Sequence, residues 1–209
     1  PEGQQGHMDE DTWRVQLETA KLLESLGHKV EMRPVPLDID AMTVHYLTYY
    51  GFLSYMTTRL GRLVVGSKVV RSVLEPFTLG LAETFANNKL RLPKSLRELK
   101  KAATETEREI EKDFDVVMTC STTKVVPPIG YFSPLLSFEE VSWRASDFAT
   151  FLPMFNISGS PAISLPLGHS SDGLPVGVQF AAPYGQDKLL LELALELETA
   201  KPFRHLFNQ

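Results

Sequence analysis

Residues 155–198 read FNISGSPAISLPLGHSSDGLPVGVQFAAPYGQDKLLLELALELE. Two short apolar segments, AISL at 162–165 and VGVQFA at 176–181, flank the polar turn sequence SSDG at 170–173. This arrangement is typical of two strands joined by a tight connection. Gln186 or Asp187 then begins a strongly apolar segment, which predicts a helix over 188–200. The order expected here is strand, turn, strand and helix.

The residues before this stretch also alternate between helix and strand patterns. Acidic residues in the first turn and apolar residues at helical spacing predict a helix over 9–26, ended by Gly27. Polar–apolar alternation predicts a strand at 28–32, and an apolar run predicts a strand buried on both faces at 115–119. We therefore expect an α/β protein with at least four strands, part of a mixed β-sheet core covered by helices.

Three further helical regions are expected in the middle of the chain. Residues 39–90 are rich in Met, Tyr, Leu and Val and contain several glycines, which predicts helices rather than strands. The aromatic residues there could line a substrate pocket, but such clusters are more often packed core. Ser95 and Glu98, preceded by Pro93, form a capping-box pattern that predicts the start of a long helix. Another helix is expected near 138–152.

Composition limits the class of protein. The chain has 209 residues, 43% of them hydrophobic, and no stretch resembles a linker, so we expect a single domain over residues 1–209. The net charge of -5 is spread over mixed-sign segments with no basic stripe, which argues against a nucleic-acid partner. No apolar run approaches the roughly 18 residues of a membrane span. A membrane partner is not expected either.

Cys120 is the only cysteine in the sequence, which excludes an internal disulfide and a thiolate metal site. A chain without disulfides fits a reducing compartment. We therefore expect a cytoplasmic protein. Cys120 follows a predicted buried strand, where α/β proteins often place functional residues. No histidine in the sequence is marked as its base, so a small apolar residue at a strand end is the more frequent explanation.

Ser121 and Lys124 match the SxxK spacing, which places a nucleophilic hydroxyl and a lysine base on one helix face. Val-Val-Pro-Pro follows directly, and prolines there oppose the helix that the spacing needs. Partner motifs of SxxK enzymes are absent, as are the GxSxG, GxxxxGK, GxGxxG and HExxH patterns. An SxxK acyl enzyme remains only as a minor hypothesis.

The quoted stretch resembles the carboxyl-terminal region of the amidase-signature family. The residues that follow that family's order and spacing are Asn156, Gly159, Pro161, Ala162, Gly173, Leu174, Pro175, Gly177 and Gln179. The segments DVVMTCSTTKVVPPIG at 115–130 and LLESLGHKVE at 22–31 are also similar, although Cys120 and Ser121 depart from the family pattern. The likeness covers essentially the whole chain, with 39–90 as the variable part that we expect to shape substrate preference.

The resemblance implies an enzyme in which a serine nucleophile, a second serine preceded by a cis peptide, and a lysine base lie in the upstream half. None of that signature occurs here, so no residue of this chain inherits a catalytic role. The chain is expected to be the carboxyl-terminal half and to need the missing amino-terminal half as its partner. We predict that it supplies sheet strands and part of the pocket wall, with four wall candidates: Cys120, Ser121, Trp143 and Phe155.

The implied reaction is hydrolysis of a linear carboxamide to carboxylate and ammonia, without a metal or organic cofactor. An alternative within the family is the catalytic subunit of a transfer-RNA-dependent amidotransferase. An alternative from another class is a noncatalytic assembly module that binds its partner through an unsatisfied sheet edge. Whether the chain forms a homodimer is left open.

Overall fold

The computed structural model describes residues 8–35, 38–64 and 74–203. Seven α-helices and three β-strands lie within these residues. In chain order they are α1 (Glu10–Ser25), α2 (Ile39–Val64), α3 (Pro76–Asn87), α4 (Leu92–Asp113), β1 (Val117–Cys120), α5 (Phe138–Phe148), α6 (Leu152–Ser158), β2 (Ala162–His169), β3 (Pro175–Ala181) and α7 (Asp187–Ala200). The expected α/β class with a helix-covered sheet is confirmed.

The chain forms two compact units. The first unit comprises residues 1–36, 103–127 and 148–209, and the second comprises 37–102 and 128–147. The described sheet belongs to the first unit. The assignment of residues 1–209 to one domain stays a prediction.

The described sheet has the strand order β1-β3-β2, and both strand pairs are antiparallel. Central strand β3 pairs Gln179 with Thr119 of β1 on one side and with Ser164 of β2 on the other. A register shift between Leu165 and Gly168 marks a bulge in β2. The two strands and the turn expected at 162–181 are confirmed. Gly173 has a positive φ in this turn, which lets β2 and β3 pair directly.

One face of this sheet is apolar and is covered by α1 and α7. Val178 and Phe180 are almost fully buried there, together with Leu165 of β2. Val15 of α1 and Leu197 of α7 complete the same cluster. Burying each such side chain contributes about 1.5–3 kcal/mol, so this cluster is the main source of stability in the unit.

The second unit is built around α2 and α3. Gly51 lets them approach closely, since a Cβ there would lie 2.9 Å from the carbonyl oxygen of Leu81. Phe52 and Tyr55 pack their rings against Phe85 at centroid distances of 5.6 and 5.5 Å. Both rings therefore pack against the buried Phe85, and the packed-core interpretation of the aromatic residues stays a prediction. The role of 39–90 in substrate preference stays a prediction.

Three details of the expected secondary structure are wrong. Residues 28–32 form no strand, and the described part of the sheet has three strands rather than four. Helix α4 begins at Leu92, before Ser95. Ser95 is not a cap, because its buried hydroxyl lies 3.1 Å from Nδ1 of His45 instead. The helix expected near 138–152 is two helices, α5 and α6.

Within residues 8–35, 38–64 and 74–203, every helix is either too short or too polar to span a membrane.

Candidate functional site

The face of the sheet opposite the apolar cluster carries a polar strip formed by Thr119, Ser121, Ser164 and Gln179. Successive strand residues point to opposite faces, so Thr119 and Ser121 share a face, and Gln179 lies between Thr119 and Ser164 in the register. The Gln179 amide nitrogen donates to Oγ1 of Thr119 at 3.3 Å. Gln179 is buried, so this bond partly offsets the cost of removing its amide from water.

Ser121 and Ser164 meet across the central strand. Their hydroxyl oxygens lie 2.5 Å apart, and the Ser121 backbone N–H donates to the carbonyl of Gly177 at 3.2 Å. A Cβ at Gly177 would lie 2.7 Å from Oγ of Ser121 and 3.0 Å from Oγ of Ser164. Only glycine at position 177 leaves room for the two hydroxyls to meet.

Among the described residues, no base is hydrogen-bonded to the serine pair. Neither hydroxyl is bonded there to a histidine, a lysine or a carboxylate. A serine needs such a base to become strongly nucleophilic. The pair can instead donate and accept hydrogen bonds toward a substrate or a polar surface.

Asp9 fixes the loop that carries Ser121. Its Oδ1 accepts from the N–H of Thr12 at 2.7 Å and caps helix α1, while its Oδ2 accepts from the N–H of Val125 at 2.7 Å. The Asp9 N–H donates to the carbonyl of Thr123 at 3.0 Å. One residue therefore ties the start of α1 to two points of the loop after β1, and no sequence pattern marked it as functional.

Cys120 ends β1 and is 2% exposed. In the register it lies beside Val178, a residue of the apolar cluster. Burial raises the pKa of the Cys120 thiol from 9.0 to about 12, so the thiol stays protonated at neutral pH. It therefore has the properties of a small apolar residue in the folded unit. Its assignment to a pocket wall stays a prediction.

The other wall candidates lie in different surroundings. Phe155 is buried on α6 in the first unit, whereas Trp143 lies on α5 in the second unit and is 61% exposed. Of the four candidates, Cys120 and Ser121 are adjacent in sequence at the end of β1, but their side chains lie on opposite faces of the sheet. Ser121 alone among these two contributes a hydroxyl to the polar strip. Their role as pocket wall, like that of Phe155 and Trp143, stays a prediction.

Lys124 does not form a helical SxxK arrangement with Ser121. Residues 121–125 are an irregular loop, in which Oγ1 of Thr122 donates to the Lys124 carbonyl at 2.9 Å. The helix that would align the two side chains on one face is therefore absent from this described segment. The prolines at 127 and 128 are consistent with that outcome.

The first block of the family motif, FNISGSPA, turns a helix into a strand. Asn156 lies exposed on α6, and Gly159 ends the helix in the left-handed conformation with φ of 76°. Pro161 accepts a hydrogen bond from the N–H of Ala182 at 3.1 Å, and Ala162 begins β2. These residues place Ser164 two positions into the strand, on the polar face.

The second block, DGLPVGVQF, contains the turn and β3. Gly173 has a φ of 80° in the turn, and Pro175 begins the strand. The turn is held to α1 by Asp11, which accepts from the N–H and hydroxyl of Ser171 at 2.9 Å each. Hydrogen bonds from Arg14 and then Ser171 hold the pKa of the Asp11 carboxyl below its usual value. This turn therefore has a structural role.

No metal centre is assembled in the described part of the chain, since it contains no group of three or more His, Cys, Asp or Glu side chains suited to an ion.

Ser164 was not predicted from the sequence. Its exposure follows from strand alternation, but its contact with Ser121 depends on the β1–β3–β2 order, which no short pattern encodes.

The chain is similar to amidases over most of its length. A family model described as Amidase matches residues 2–191. "Putative amidase AmiC" of Mycobacterium leprae (strain TN) is 40% identical over 190 residues, covering 91% of this chain and 40% of that protein. A glutamyl-tRNA(Gln) amidotransferase subunit of Prochlorococcus marinus (strain MIT 9313) is 26% identical over 223 residues, covering 94% of this chain and 43% of that protein.

The fold agrees with these sequence matches. A solved structure of 6-aminohexanoate cyclic dimer hydrolase complexed with substrate matches with a TM-score of 0.80 and 28% identity. That match covers 94% of this chain and 42% of the solved chain. The present chain thus spans less than half the length of the relatives it matches. Since the family model covers most of the sequence and the fold agrees, the chain belongs to the amidase family.

Proposed function

We propose that this chain is the carboxyl-terminal part of an enzyme that hydrolyses a carboxamide to a carboxylate and ammonia. The observation that carries the proposal is the Amidase family match over residues 2–191, in a chain that covers 40% of its Mycobacterium leprae relative. The upstream part would supply the catalytic serine, the second serine and the lysine. The present chain would supply the sheet, its covering helices and part of the pocket wall.

In the proposed reaction the upstream serine oxygen attacks the amide carbonyl carbon and loses its proton to the base. The C–N bond then breaks, and the nitrogen leaves as ammonia after taking that proton. Water hydrolyses the acyl-serine ester, which releases the carboxylate and restores the serine hydroxyl. Each step balances without a metal or organic cofactor.

The contribution of the present chain would be to exclude water and orient the amide. Pocket walls that come from a distant part of the chain can hold a substrate in a reactive geometry. This lowers the activation barrier although the wall residues take part in no chemical step. The hydroxyls of Ser121 and Ser164 support such a role, since each can still bond a polar group of the substrate.

The cytoplasm is the proposed location, because the one cysteine is a free thiol.

A second candidate is the catalytic subunit of a transfer-RNA-dependent amidotransferase. It is favoured by the Prochlorococcus marinus relative, which this chain matches over 94% of its residues. That relative is 26% identical, compared with 40% for the Mycobacterium leprae protein, so the amidase is the preferred proposal. The two candidate enzymes differ in what becomes of the amide nitrogen. An amidase releases it as ammonia, whereas an amidotransferase passes the ammonia to an acceptor.

Ammonia release from a panel of linear carboxamides, for this chain and for the chain extended upstream to its natural start, tests the proposal. Hydrolysis by the extended chain alone is the expected result. Release that requires glutamylated transfer RNA would favour the amidotransferase. If the chain is a noncatalytic assembly module, neither chain should release ammonia, and the module should bind a partner protein stably.

A further inference from the structure

The polar strip occupies one row across the described sheet and the end of the strand beside it. Gln179 of β3 is paired with Thr119 of β1 on one side and with Ser164 of β2 on the other. Ser121 follows β1 and bonds through its N–H to the carbonyl of Gly177. The next row on the same face is apolar and consists of Val117, Ala181 and Ala162. The strip is therefore a polar surface with an apolar border.

The strands that form this surface are uncharged. None of the three described strands contains Asp, Glu, Lys or Arg. A charged group held against them would lose its hydration and gain no opposite charge from the strands. A neutral polar group loses much less, because hydrogen bonds to the strip can replace its bonds to water. The strip therefore favours a neutral polar ligand group.

The serine pair keeps hydrogen-bonding capacity of both kinds. Two hydroxyls have two O–H donors and four lone pairs in total, and the bond between Ser121 and Ser164 uses one of each. One donor and three lone pairs remain, and no other described residue is hydrogen-bonded to either hydroxyl. A carboxamide both donates and accepts, whereas a carboxylate only accepts and an ammonium only donates. The pair matches the carboxamide best.

The strip is ordered before any ligand binds. Gln179 is 6% exposed, and its amide nitrogen donates to Oγ1 of Thr119 at 3.3 Å. Gly177 leaves the space in which the two serine hydroxyls meet. Polar groups that are already held in place lose little conformational entropy on binding. Ser164 is the exposed member of the serine pair, while Ser121 is half-buried.

We propose that the polar strip is a subsite for a second neutral polar group of the carboxamide substrate, one that can both donate and accept hydrogen bonds. The inference rests on the proposed function, in which the reacting serine and the lysine lie upstream. The amide that is cleaved must meet those upstream groups, so the strip contacts a different part of the substrate. Ser164 is then a specificity-determining residue, and Gln179 is a positioning residue that holds Thr119.

Three substrates of equal chain length test the subsite in the chain extended upstream to its natural start. Succinamide carries a second neutral amide, succinamate carries a carboxylate in its place, and butyramide carries a methyl group there. Ammonia release gives kcat/KM for each, with succinamide corrected for its two equivalent amides. Succinamide should exceed each of the other two by at least about five-fold, the effect of one well-formed hydrogen bond.

Ser164→Ala should lower the ratio of kcat/KM for succinamide to that for butyramide by about five-fold, mainly through the KM for succinamide. Ser164→Thr keeps the hydroxyl and should retain the parental ratio. Ser25→Ala is the matched control, since the Ser25 hydroxyl donates to the Leu22 carbonyl on α1 at 2.7 Å. A merely structural role of Ser164 would lower both rates equally and leave the ratio unchanged.

An unchanged ratio in Ser164→Ala, with hydrolysis intact in the parent, would overturn the subsite and leave the proposed function standing. A parent that does not prefer succinamide would overturn it as well. The same holds if the extended chain hydrolyses other linear carboxamides but none of these three. Absent release from every carboxamide would reject the proposed function, and the subsite with it.

Discussion

The hydroxyl oxygens of Ser121 and Ser164 lie 2.5 Å apart, although β3 separates the strands that carry them. The contact exists because Gly177 has no side chain at the point where the two residues meet. A glycine in the middle of a central strand ordinarily weakens the strand. Here it permits a polar contact that spans all three described strands.

Gly177→Ala should destabilise the first unit. The added Cβ would lie 2.7 Å from the Ser121 hydroxyl, and overpacking of this kind costs about 1–3 kcal/mol. The free energy of unfolding, measured by urea denaturation of the variant and the parent chain, tests the expectation.

The double variant Ser121→Ala with Ser164→Ala is the matched background for this test. Removing both hydroxyls takes away two of the three nearest atoms, so Gly177→Ala should cost clearly less there. An equal cost in both backgrounds would mean that the hydroxyl contact is not why glycine is needed.

Asp9→Ala should also lower stability, because it removes the cap of α1 and leaves the N–H of Val125 without its acceptor. Loss of a cap and of one further hydrogen bond costs about 1–3 kcal/mol. Asp9→Asn is the control: its amide oxygen can still cap Thr12, while its amide nitrogen cannot accept from Val125.

The asparagine variant should therefore fall between the parent and Asp9→Ala in the free energy of unfolding. Near-parental stability of both variants would contradict the structural role given to Asp9.

Cys120 should make the unfolding free energy depend on pH in the alkaline range. Burial raises the pKa of the folded thiol to about 12, whereas the unfolded thiol titrates near 9.0. The unfolded chain then loses its proton first, so stability from this group is full below about pH 9 and falls as pH rises toward about 12.

The difference in alkaline slope between the parent and Cys120→Ala isolates this contribution from those of lysines and tyrosines. The folded parent should also react slowly with a thiol reagent at about pH 8 and quickly in denaturant. Rapid reaction in the folded state would show that Cys120 is neither buried nor protonated as described.

The sequence predicted the elements whose pattern is local. The strands at 162–181 and the helix that follows them were recognised because alternation, a turn sequence and an apolar helix stand next to one another. The strand expected at 28–32 does not form, since an alternating pattern of five residues does not specify a pairing partner.

Ser95 illustrates a second limit. Its capping-box spacing with Glu98 is real, but α4 begins three residues earlier and Ser95 bonds to His45, 50 residues away in the chain. Tertiary contact overrides local propensity in such cases.

The polar strip required the tertiary structure for the same reason. Ser121 was predicted as a wall residue, yet its partner Ser164 lies 43 residues further along the chain. Asp9, which anchors the loop after β1, lies 116 residues before Val125, and only the folded α1 cap brings the two together. Gly177 and Gln179 were recognised through the family resemblance, and the structure adds the physical reason for each.

Ammonia release from linear carboxamides, by the 209-residue chain and by the same chain extended upstream to its natural start, tests the central proposal most directly. Because neither hydroxyl of the serine pair bonds to a base among the described residues, we expect release by the extended chain and none by the short chain. Release by the short chain would contradict the proposal and would place catalysis within these residues.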